Sequence, residues 1–355
     1  MASPPAYGPS RERVAGLCDR IGDARTLRQQ VLAEIHRVVG FDAHAWLLTD
    51  PETSVGVAPL ADVPSALLPL LPTLIRLKYL TDVNRWTTLD GSAASLYQTT
   101  HGELSRSRLW RELLGNHGVV DLASCVFRDR FGCWGFLDLW RTGAARRFTA
   151  AEIAYLAGIV NDVTRALRRC QANTFLLRPP LEPPHPGPVV MLLSPQLRML
   201  GQTPETDDYL RVLVPPADGR APIPASAYNV AAQLLAVERN VDRNPPAARV
   251  HLSGGLWVSL RAARIGDAQP CGERNIAVTI EDSSPTERVS MFARACGLTA
   301  RETELLGHLM TGTDTRELAR RMFLSENTVQ DHLKSIFTKT ATRNRRSLLA
   351  RALGT

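Results

Sequence analysis

The polar side chains whose types and spacing are best suited to binding another molecule lie between residues 325 and 340. At about 100° per residue, a helix over this stretch gathers its polar residues on one face. Those residues are Asn327, Asp331, Lys334 and Thr338, with Gln330 and Ser335 flanking them. The opposite face is apolar and consists of Val329, Leu333, Ile336 and Phe337. Amide, carboxylate and ammonium groups can pair with base edges in a DNA major groove, so the pattern indicates a recognition helix anchored on its apolar side.

Three further helices are predicted around this one. Residues that cap helix N-termini precede four apolar-faced segments: Thr299, Asp314, Ser325 and Asn344. Glu302 stands three residues after Thr299, which is capping-box spacing. Gly312 ends the first helix, and the sequence Phe323-Leu324-Ser325 turns the chain before the third. We therefore expect an all-α, four-helix unit over residues 298–355, with a helix-turn-helix motif at about 315–334.

The charge of this unit favours a polyanionic partner. From Leu298 onward there are ten Lys or Arg residues and six Asp or Glu residues, a formal charge of +4, against +7 for the whole chain. Near the ends of the recognition helix and in the following turn, four residues are candidates for positioning DNA phosphates: Thr328, Lys339, Arg343 and Arg345. Replacing such a cation is expected to flatten the salt dependence of binding by about one.

The same segment resembles the LuxR-type (GerE-like) DNA-binding domain. The matching pieces are LTARETELL, TRELARRMFLSENTV, the His332-Leu333 pair and NRRSLLARAL. The resemblance implies a transcriptional regulator that binds double-stranded DNA and reads bases from Gln330, Asp331 and Lys334, to which we add Asn327. The family often has lysine at positions 327 and 330, so nonspecific attraction to DNA is expected to be weaker here.

Residues 11–172 are predicted to form a first α+β domain. A helix over about 11–39, a strand at 43–50, two strands around Asp129–Gly132 and a helix from Thr149 to about Cys170 follow in order. Residues 1–10 are rich in Pro and Ser and are expected to be disordered. This order of elements, with the FTAAEIAYL helix start, resembles a GAF sensor domain. The resemblance implies an antiparallel sheet that holds a small ligand or pairs subunits, without naming ligand-binding residues.

A second α+β domain is expected at 189–284. It follows a Pro-rich segment, 173–188, that suits an extended linker. Strands are predicted at 189–194 and 275–282, helices at 203–213 and 225–238, and a hairpin at 248–265 turning at Gly254-Gly255. The order resembles a PAS domain, and residues 285–297 form a connecting helix. The fold class is thus multidomain α+β: two antiparallel-sheet sensor domains followed by the all-α helix-turn-helix domain.

Two surfaces are candidates for a homodimer, which paired half-sites on DNA would require. One is a heptad-like seam on the helix that closes the first domain: Ile153, Leu156, Val160, Val163 and Leu167. This face packs on its own sheet in the competing interpretation, and the spacing alone does not choose. The other surface is the last helix, with Leu348, Leu349 and Leu353.

Several function classes find no support in the sequence. A P-loop and the hydrolase and metalloprotease motifs are missing, so no enzyme is predicted, and no cofactor is evident. A phosphorylated receiver domain needs a central Asp and a later Lys, yet Lys78 is the single lysine before residue 298. The six cysteines show no metal spacing, although Cys125 and Cys133 could face each other across a hairpin. No apolar run is long enough to span a membrane and no signal peptide is visible, so a cytoplasmic location is expected.

The prediction is therefore a DNA-binding transcriptional regulator that a small-molecule or protein signal controls through its N-terminal domains. RNA polymerase is a further candidate partner. Two alternatives stay open. One is a sensor whose helical tail contacts only protein, and the other is a regulator of the acyl-homoserine-lactone type.

Overall fold

The structure is a computed structural model of the 355-residue chain. It describes residues 7–89, 91–177, 189–206, 209–210, 224–252, 256–266 and 274–354. Two five-stranded antiparallel sheets come first along the chain, and a cluster of helices follows them. The predicted fold class is confirmed in this form.

The first domain places one sheet between two sets of helices. Its helices are α1 (Tyr7–Arg20), α2 (Ala24–Val38), α3 (Leu71–Leu80), α4 (Leu96–Thr99), α5 (Arg108–Glu112) and α6 (Ala150–Thr174). Its strands are β1 (Ala43–Thr49), β2 (Gly56–Asp62), β3 (Ala93–Ser95), β4 (Val119–Asp129) and β5 (Gly132–Thr142). The strands pair in the order β2-β1-β5-β4-β3. Three 3-10 turns lie between them, at Ser65–Leu70, Leu104–Arg106 and Leu114–His117.

The N-terminal helical region differs from its prediction in two ways. Helix α1 begins at Tyr7, inside the stretch expected to be disordered, because Ser10 is buried and bonds to Glu34 and Tyr155. The single helix expected over 11–39 is divided into α1 and α2, and Asp23 caps the second. Residues 1–6 lie outside the described residues.

The heptad-like seam on α6 packs inside its own domain. Its exposure is 0% at Leu156 and Val163 and 2% at Val160 and Leu167, while Ile153 is half-buried against the same core. Helix α6 contacts strands β3, β4 and β5. The prediction of a dimer seam is therefore corrected, because these side chains already cover the sheet.

The two strands predicted around residues 129–132 are β4 and β5, paired over their full length. Their register separates the two cysteines, since Cys125 lies opposite Leu137 and Cys133 opposite Arg128. The suggestion that these thiols face each other across the hairpin is corrected. Burial instead raises the pKa of both thiols above its ordinary value.

The sheet of the second domain has the same topology as that of the first, when the five strands of each sheet are counted in chain order. Its strands are β6 (Val189–Leu193), β7 (Met199–Gln202), β8 (Ala247–His251), β9 (Trp257–Ile265) and β10 (Asn275–Asp282), in the order β7-β6-β10-β9-β8. Helix α7 (Ala225–Glu238) is the one predicted at 225–238. The Gly254-Gly255 turn lies outside the described residues, as do residues 207–208 and 211–213 of the helix predicted at 203–213. Of the proposed linker, Asn173 and Thr174 belong to α6, and 178–188 are not described.

Charged side chains join the two domains at a buried contact. Arg249 on β8 donates from Nε and Nη2 to the two carboxylate oxygens of Asp50, each at 2.7 Å. Asp50 is 1% exposed and the Arg249 side chain 8%. Arg249 also pairs with Glu52 at 2.9 Å. Both ends of this ion pair are therefore removed from water, and the turn after β1 is fixed to the second sheet.

Helix α8 (Pro285–Ala295) packs against α6 of the first domain and leads into the C-terminal helices. Its Glu287 accepts hydrogen bonds from Arg249 and Arg261 of the second domain. Phe175, at the end of α6, stacks on Trp257 of β9 and meets Phe292 of α8 edge-on. Gly297 follows α8 at φ +68°, and a side chain there would approach Arg168 to 2.6 Å. The Leu298 amide donates to the Ala293 carbonyl at 2.9 Å, which closes the turn.

Candidate nucleic-acid interface

Four helices follow this turn, each with the N-cap expected from the sequence. They are α9 (Ala300–Met310), α10 (Thr315–Met322), α11 (Glu326–Thr340) and α12 (Arg345–Leu353). Thr299 and Glu302 form the capping box of α9, and the caps of the other three accept a backbone N–H at 2.8–3.1 Å. These caps satisfy amides that have no partner within the helix, so they determine where each helix begins.

Apolar residues of all four helices share one small core. Leu305, Leu318, Val329, Ile336 and Leu348 are 0% exposed. Of the other residues predicted for the apolar face of α11, Leu333 is 2% exposed and Phe337 is half-buried against the same core. This packing holds α11 by one side and leaves its other side toward solvent.

The turn between α10 and α11 has a feature that sequence reasoning missed. Phe323 adopts the left-handed conformation, at φ +54°, and its exposure is 95%. The following amide, of Leu324, donates to the Ala319 carbonyl at 2.9 Å. An exposed aromatic residue in this conformation is uncommon, and the sequence signals only a turn there.

The predicted base-reading residues lie together on the exposed face of α11. Asn327, Gln330, Asp331 and Lys334 are all exposed, as is Thr338. Lys334 Nζ is 3.7 Å from Asp331 Oδ1, and both side chains remain more than three-quarters exposed, at 78% and 76%. Such an exposed pair is weak, so both groups can exchange their contact for one with a ligand.

The four candidates for phosphate contacts are placed less uniformly. Thr328 is half-buried, and its hydroxyl lies 2.8 Å from that of Ser325. Arg343 is exposed, whereas Arg345 donates from Nη2 to Thr315 Oγ1 at 2.6 Å. The guanidinium of Arg343 is therefore more accessible to a DNA phosphate than that of Arg345.

Of the four candidates, Lys339 departs most from the open, solvent-facing position expected of a phosphate contact. Its Nζ lies 2.7 and 2.8 Å from the two carboxylate oxygens of Glu302, whose side chain is 4% exposed. Burial would raise the pKa of Glu302, but hydrogen bonds from Lys339, Ser335 and Thr299 outweigh it and lower that pKa to about 2. The Lys339 ammonium thus forms an ion pair within the domain, and this pair joins the end of α11 to the start of α9.

The last helix is only partly available for a contact between two copies. Leu348 is 0% exposed and belongs to the core, so its assignment to a dimer surface is corrected. Leu349 and Leu353 are half-buried and pack on the same core. Helix α12 also packs against α8. The expected dimer surface is thus largely covered within one chain.

A metal site and a membrane-spanning helix were also sought in the described part of the chain. Within it, no group of three His, Cys, Asp or Glu side chains is arranged to hold a metal ion. None of the helices described there has the length and apolar character needed to cross a membrane.

Comparison with known proteins identifies the C-terminal unit. A family model described as "Bacterial regulatory proteins, luxR family" matches residues 297–352. The chain is 50% identical over 48 residues to the "Probable csgAB operon transcriptional regulatory protein" of Salmonella typhimurium, which is 14% of this chain and 22% of that protein. It is 41% identical over 54 residues to the "Monoamine regulon transcriptional regulator" of Klebsiella aerogenes, which is 15% of this chain and 24% of that protein. The chain therefore spans less than a quarter of these relatives.

A crystal structure of Escherichia coli SdiA aligns with 98% of this chain, at 13% identity and a TM-score of 0.37. Such a low score carries no information on the function of the two sheet domains. The match over 297–352 covers the helices α9 to α12 and the exposed face of α11. Residues 297–352 are therefore a helix-turn-helix domain of the luxR family of bacterial regulatory proteins.

Proposed function

We propose that this protein is a sequence-specific, DNA-binding transcriptional regulator whose two sheet domains receive a small-molecule or protein signal. The observation that carries the proposal is the exposed face of α11. Its four polar residues lie on a helix that is anchored by a buried opposite face and capped at its N-terminus. The names of the relatives, both transcriptional regulators, support the same function.

The chemistry of that face suits a G·C base pair. Lys334 can donate to the O6 and N7 acceptors of guanine, and Asp331 can accept from the N4 amino group of cytosine. If Asp331 lies beside a backbone phosphate instead of a cytosine, the two negative charges repel each other. Asn327 and Gln330 can donate to and accept from adenine. Since these four groups are polar and exposed before binding, reading a base does not require a core side chain to move.

Phosphate contacts and assembly complete the proposal. We assign phosphate positioning to Arg343 first, with Thr328 and Arg345 beside it. Lys339 can contribute only if it leaves Glu302. One short helix reads few base pairs, so we propose a homodimer on two half-sites. RNA polymerase is a further candidate partner, and we propose a cytoplasmic location because the DNA target would lie there.

We also retain the sensor role of the first two domains. Their GAF-like and PAS-like character is supported by two antiparallel sheets with the same strand order, each packed against helices. Arg249, which is paired with Asp50, also donates to the Glu287 carbonyl of α8, and Phe175 contacts Phe292 of the same helix. Helix α8 leads directly to the DNA-binding unit. We propose that a structural change in either domain reaches α11 through these packed side chains and α8.

Selection of bound sequences from random DNA by the full-length protein tests the function. The protein should enrich one motif with two half-sites, and Lys334→Ala should weaken binding to that motif by about 1–3 kcal/mol. Arg108→Ala removes the same charge from the first domain and serves as the control. Enrichment of no motif, with a folded protein, would favour the alternative of a tail that contacts only protein.

A further inference from the structure

Helices α1 and α2 leave an open groove between them on the surface of the first domain. Its volume is about 610 Å³, and one side of each helix lines it. The lining includes Gly16, Leu17 and Ala33, which are small or apolar. Helix α1 packs on α2 and α6, and its buried residues lie on one side of the helix. The opposite side of α1 is therefore open, and a second helix can lie along the groove.

The charged residues that line the groove are of both signs. They are Glu12, Arg13, Arg20, Glu34 and Arg37. The Glu34 side chain is 7% exposed and pairs with Arg13 at 2.9 Å and with Arg37 at 3.0 Å, so one carboxylate faces two guanidinium groups. Glu12 and Arg20 are exposed, and neither forms an ion pair with another of the described residues. Such a surface fits a partner that also carries charges of both signs.

The charges on α1 are arranged symmetrically about Gly16. Glu12 lies four residues before this glycine and Arg20 four residues after it, while Arg13 and Asp19 lie three residues before and after it. At about 100° per residue, all four side chains lie within about 60° of the direction of Gly16. When two antiparallel copies of such a helix cross at the glycine, each of these acids lies opposite a cation of the other copy.

We propose that this face of α1 and α2 is the surface through which two copies of the chain form a homodimer. The two α1 helices pack antiparallel about a two-fold axis at Gly16, where the missing side chain lets the helix axes approach closely. Glu12 then faces the partner's Arg20, and Asp19 faces the partner's Arg13. The two-fold axis repeats both contacts. The partner helix also covers Leu17 and Ala33.

This inference rests on the proposed function, which requires a homodimer on two half-sites. The seam on α6 is covered by its own sheet, and the last helix is largely covered within one chain. The groove supplies the surface that neither of them leaves available. Recognition of DNA by α11 does not depend on it.

Reversing charges tests the pairing, with sedimentation of the full-length protein at micromolar concentrations without DNA. Glu12→Arg and Arg20→Glu each place like charges opposite each other and should raise the dimer dissociation constant about 10- to 100-fold. The double variant should dimerise again, and so should an equimolar mixture of the two single variants. The two positions are roughly 12 Å apart along one helix, so a contact within one chain cannot explain the recovery.

A disulfide tests the position of the axis. At roughly 8–10 Å between helix axes, the two copies of residue 16 are within reach of a disulfide. A Cβ at Gly16 would have only Arg20 Nη1 within 4 Å, at 3.3 Å, and that group lies at the end of a flexible side chain. Oxidised glutathione should link Gly16→Cys into a dimer. The matched control is Gly8→Cys, which has open space around it but would lie about 24 Å from its copy.

Glu103→Arg reverses an exposed acid elsewhere in the first domain and should leave the dimer unchanged. Circular dichroism and the melting temperature establish that each variant is folded. A monomeric wild type would overturn both this surface and the proposed homodimer. A dimer that neither reversal weakens, that the mixture does not restore, or that Gly16→Cys does not link would overturn this surface alone. Selection of DNA sequences tests recognition separately.

Discussion

Replacing Lys339 by methionine should destabilise the helix-turn-helix domain more than it alters the exposed face of α11 that we propose contacts DNA. The substitution removes the cation beside the buried carboxylate of Glu302 and keeps a side chain of similar length. The pKa of Glu302 lies at about 2 in the folded protein, against an ordinary value of 4.5. At about 1.4 kcal/mol per pKa unit, all its partners together stabilise the ionised form by roughly 3 kcal/mol. The Lys339 side chain is 32% exposed, so screening reduces its share, and we expect a loss of about 2 kcal/mol.

The pH dependence of this contribution has a definite sign. The pKa of Glu302 is lower in the folded state, so its stabilising contribution is complete above about pH 4.5 and is lost as the pH falls toward about 2. The difference between the wild type and Lys339→Met should therefore be largest near neutral pH and shrink below pH 4.5. Far-ultraviolet circular dichroism during heating, at a series of pH values, measures it.

Hydrogen exchange is the better assay at neutral pH because a chain of several domains does not unfold in one step. The amides of α11 should exchange roughly 30-fold faster in Lys339→Met. Lys334→Met, on the same helix, loses a pair between exposed groups and should change exchange by less than about 0.5 kcal/mol. Adding Glu302→Gln to Lys339→Met removes the unpaired charge, keeps a capping-box residue and should restore part of the protection.

One result would refute this reasoning. If Lys339→Met leaves the exchange of α11 unchanged but weakens binding to all DNA sequences alike, the lysine acts on phosphate and its pair with Glu302 contributes little.

Three other substitutions have expected outcomes. Arg343→Ala should weaken binding to all sequences and lower the slope of log affinity against log salt by about one, which fluorescence anisotropy at several salt concentrations checks. Asp50→Asn leaves Arg249 buried with only Glu52 as a charged partner and should destabilise the contact between the sheet domains by about 2–3 kcal/mol; faster proteolysis between the domains would report it, and unchanged proteolysis would contradict it. Val160→Asp places a charge at a position 2% exposed, so light scattering and circular dichroism should find an unfolded or aggregated first domain, not a folded monomer.

The features predicted well from the sequence are those that depend on neighbouring residues. The cap at Thr299 needs only Glu302 three positions later, and the two faces of α11 follow from helical periodicity. The contacts that determine the role of a charged residue can join positions that are far apart in the sequence. Lys339 and Glu302 are 37 positions apart, so the sequence offered a free cation where the fold provides an ion pair.

The seam on α6 illustrates a different limit. Spacings of three and four residues indicate that one side of a helix is buried, but they do not identify what buries it. A second copy and the domain's own sheet impose the same pattern on positions such as Leu156 and Val163.

The turn at Gly297 has a practical consequence for building chimeric regulators. The family match begins at residue 297, which makes that position the obvious place to exchange the output module. A cut there would separate Leu298, buried at 4%, from the Ala293 carbonyl to which its amide donates. It would also remove the glycine that adopts φ +68° in this turn. Fusions should instead retain α8 together with α6 and α12, because this helix packs against both and they lie on opposite sides of the joint.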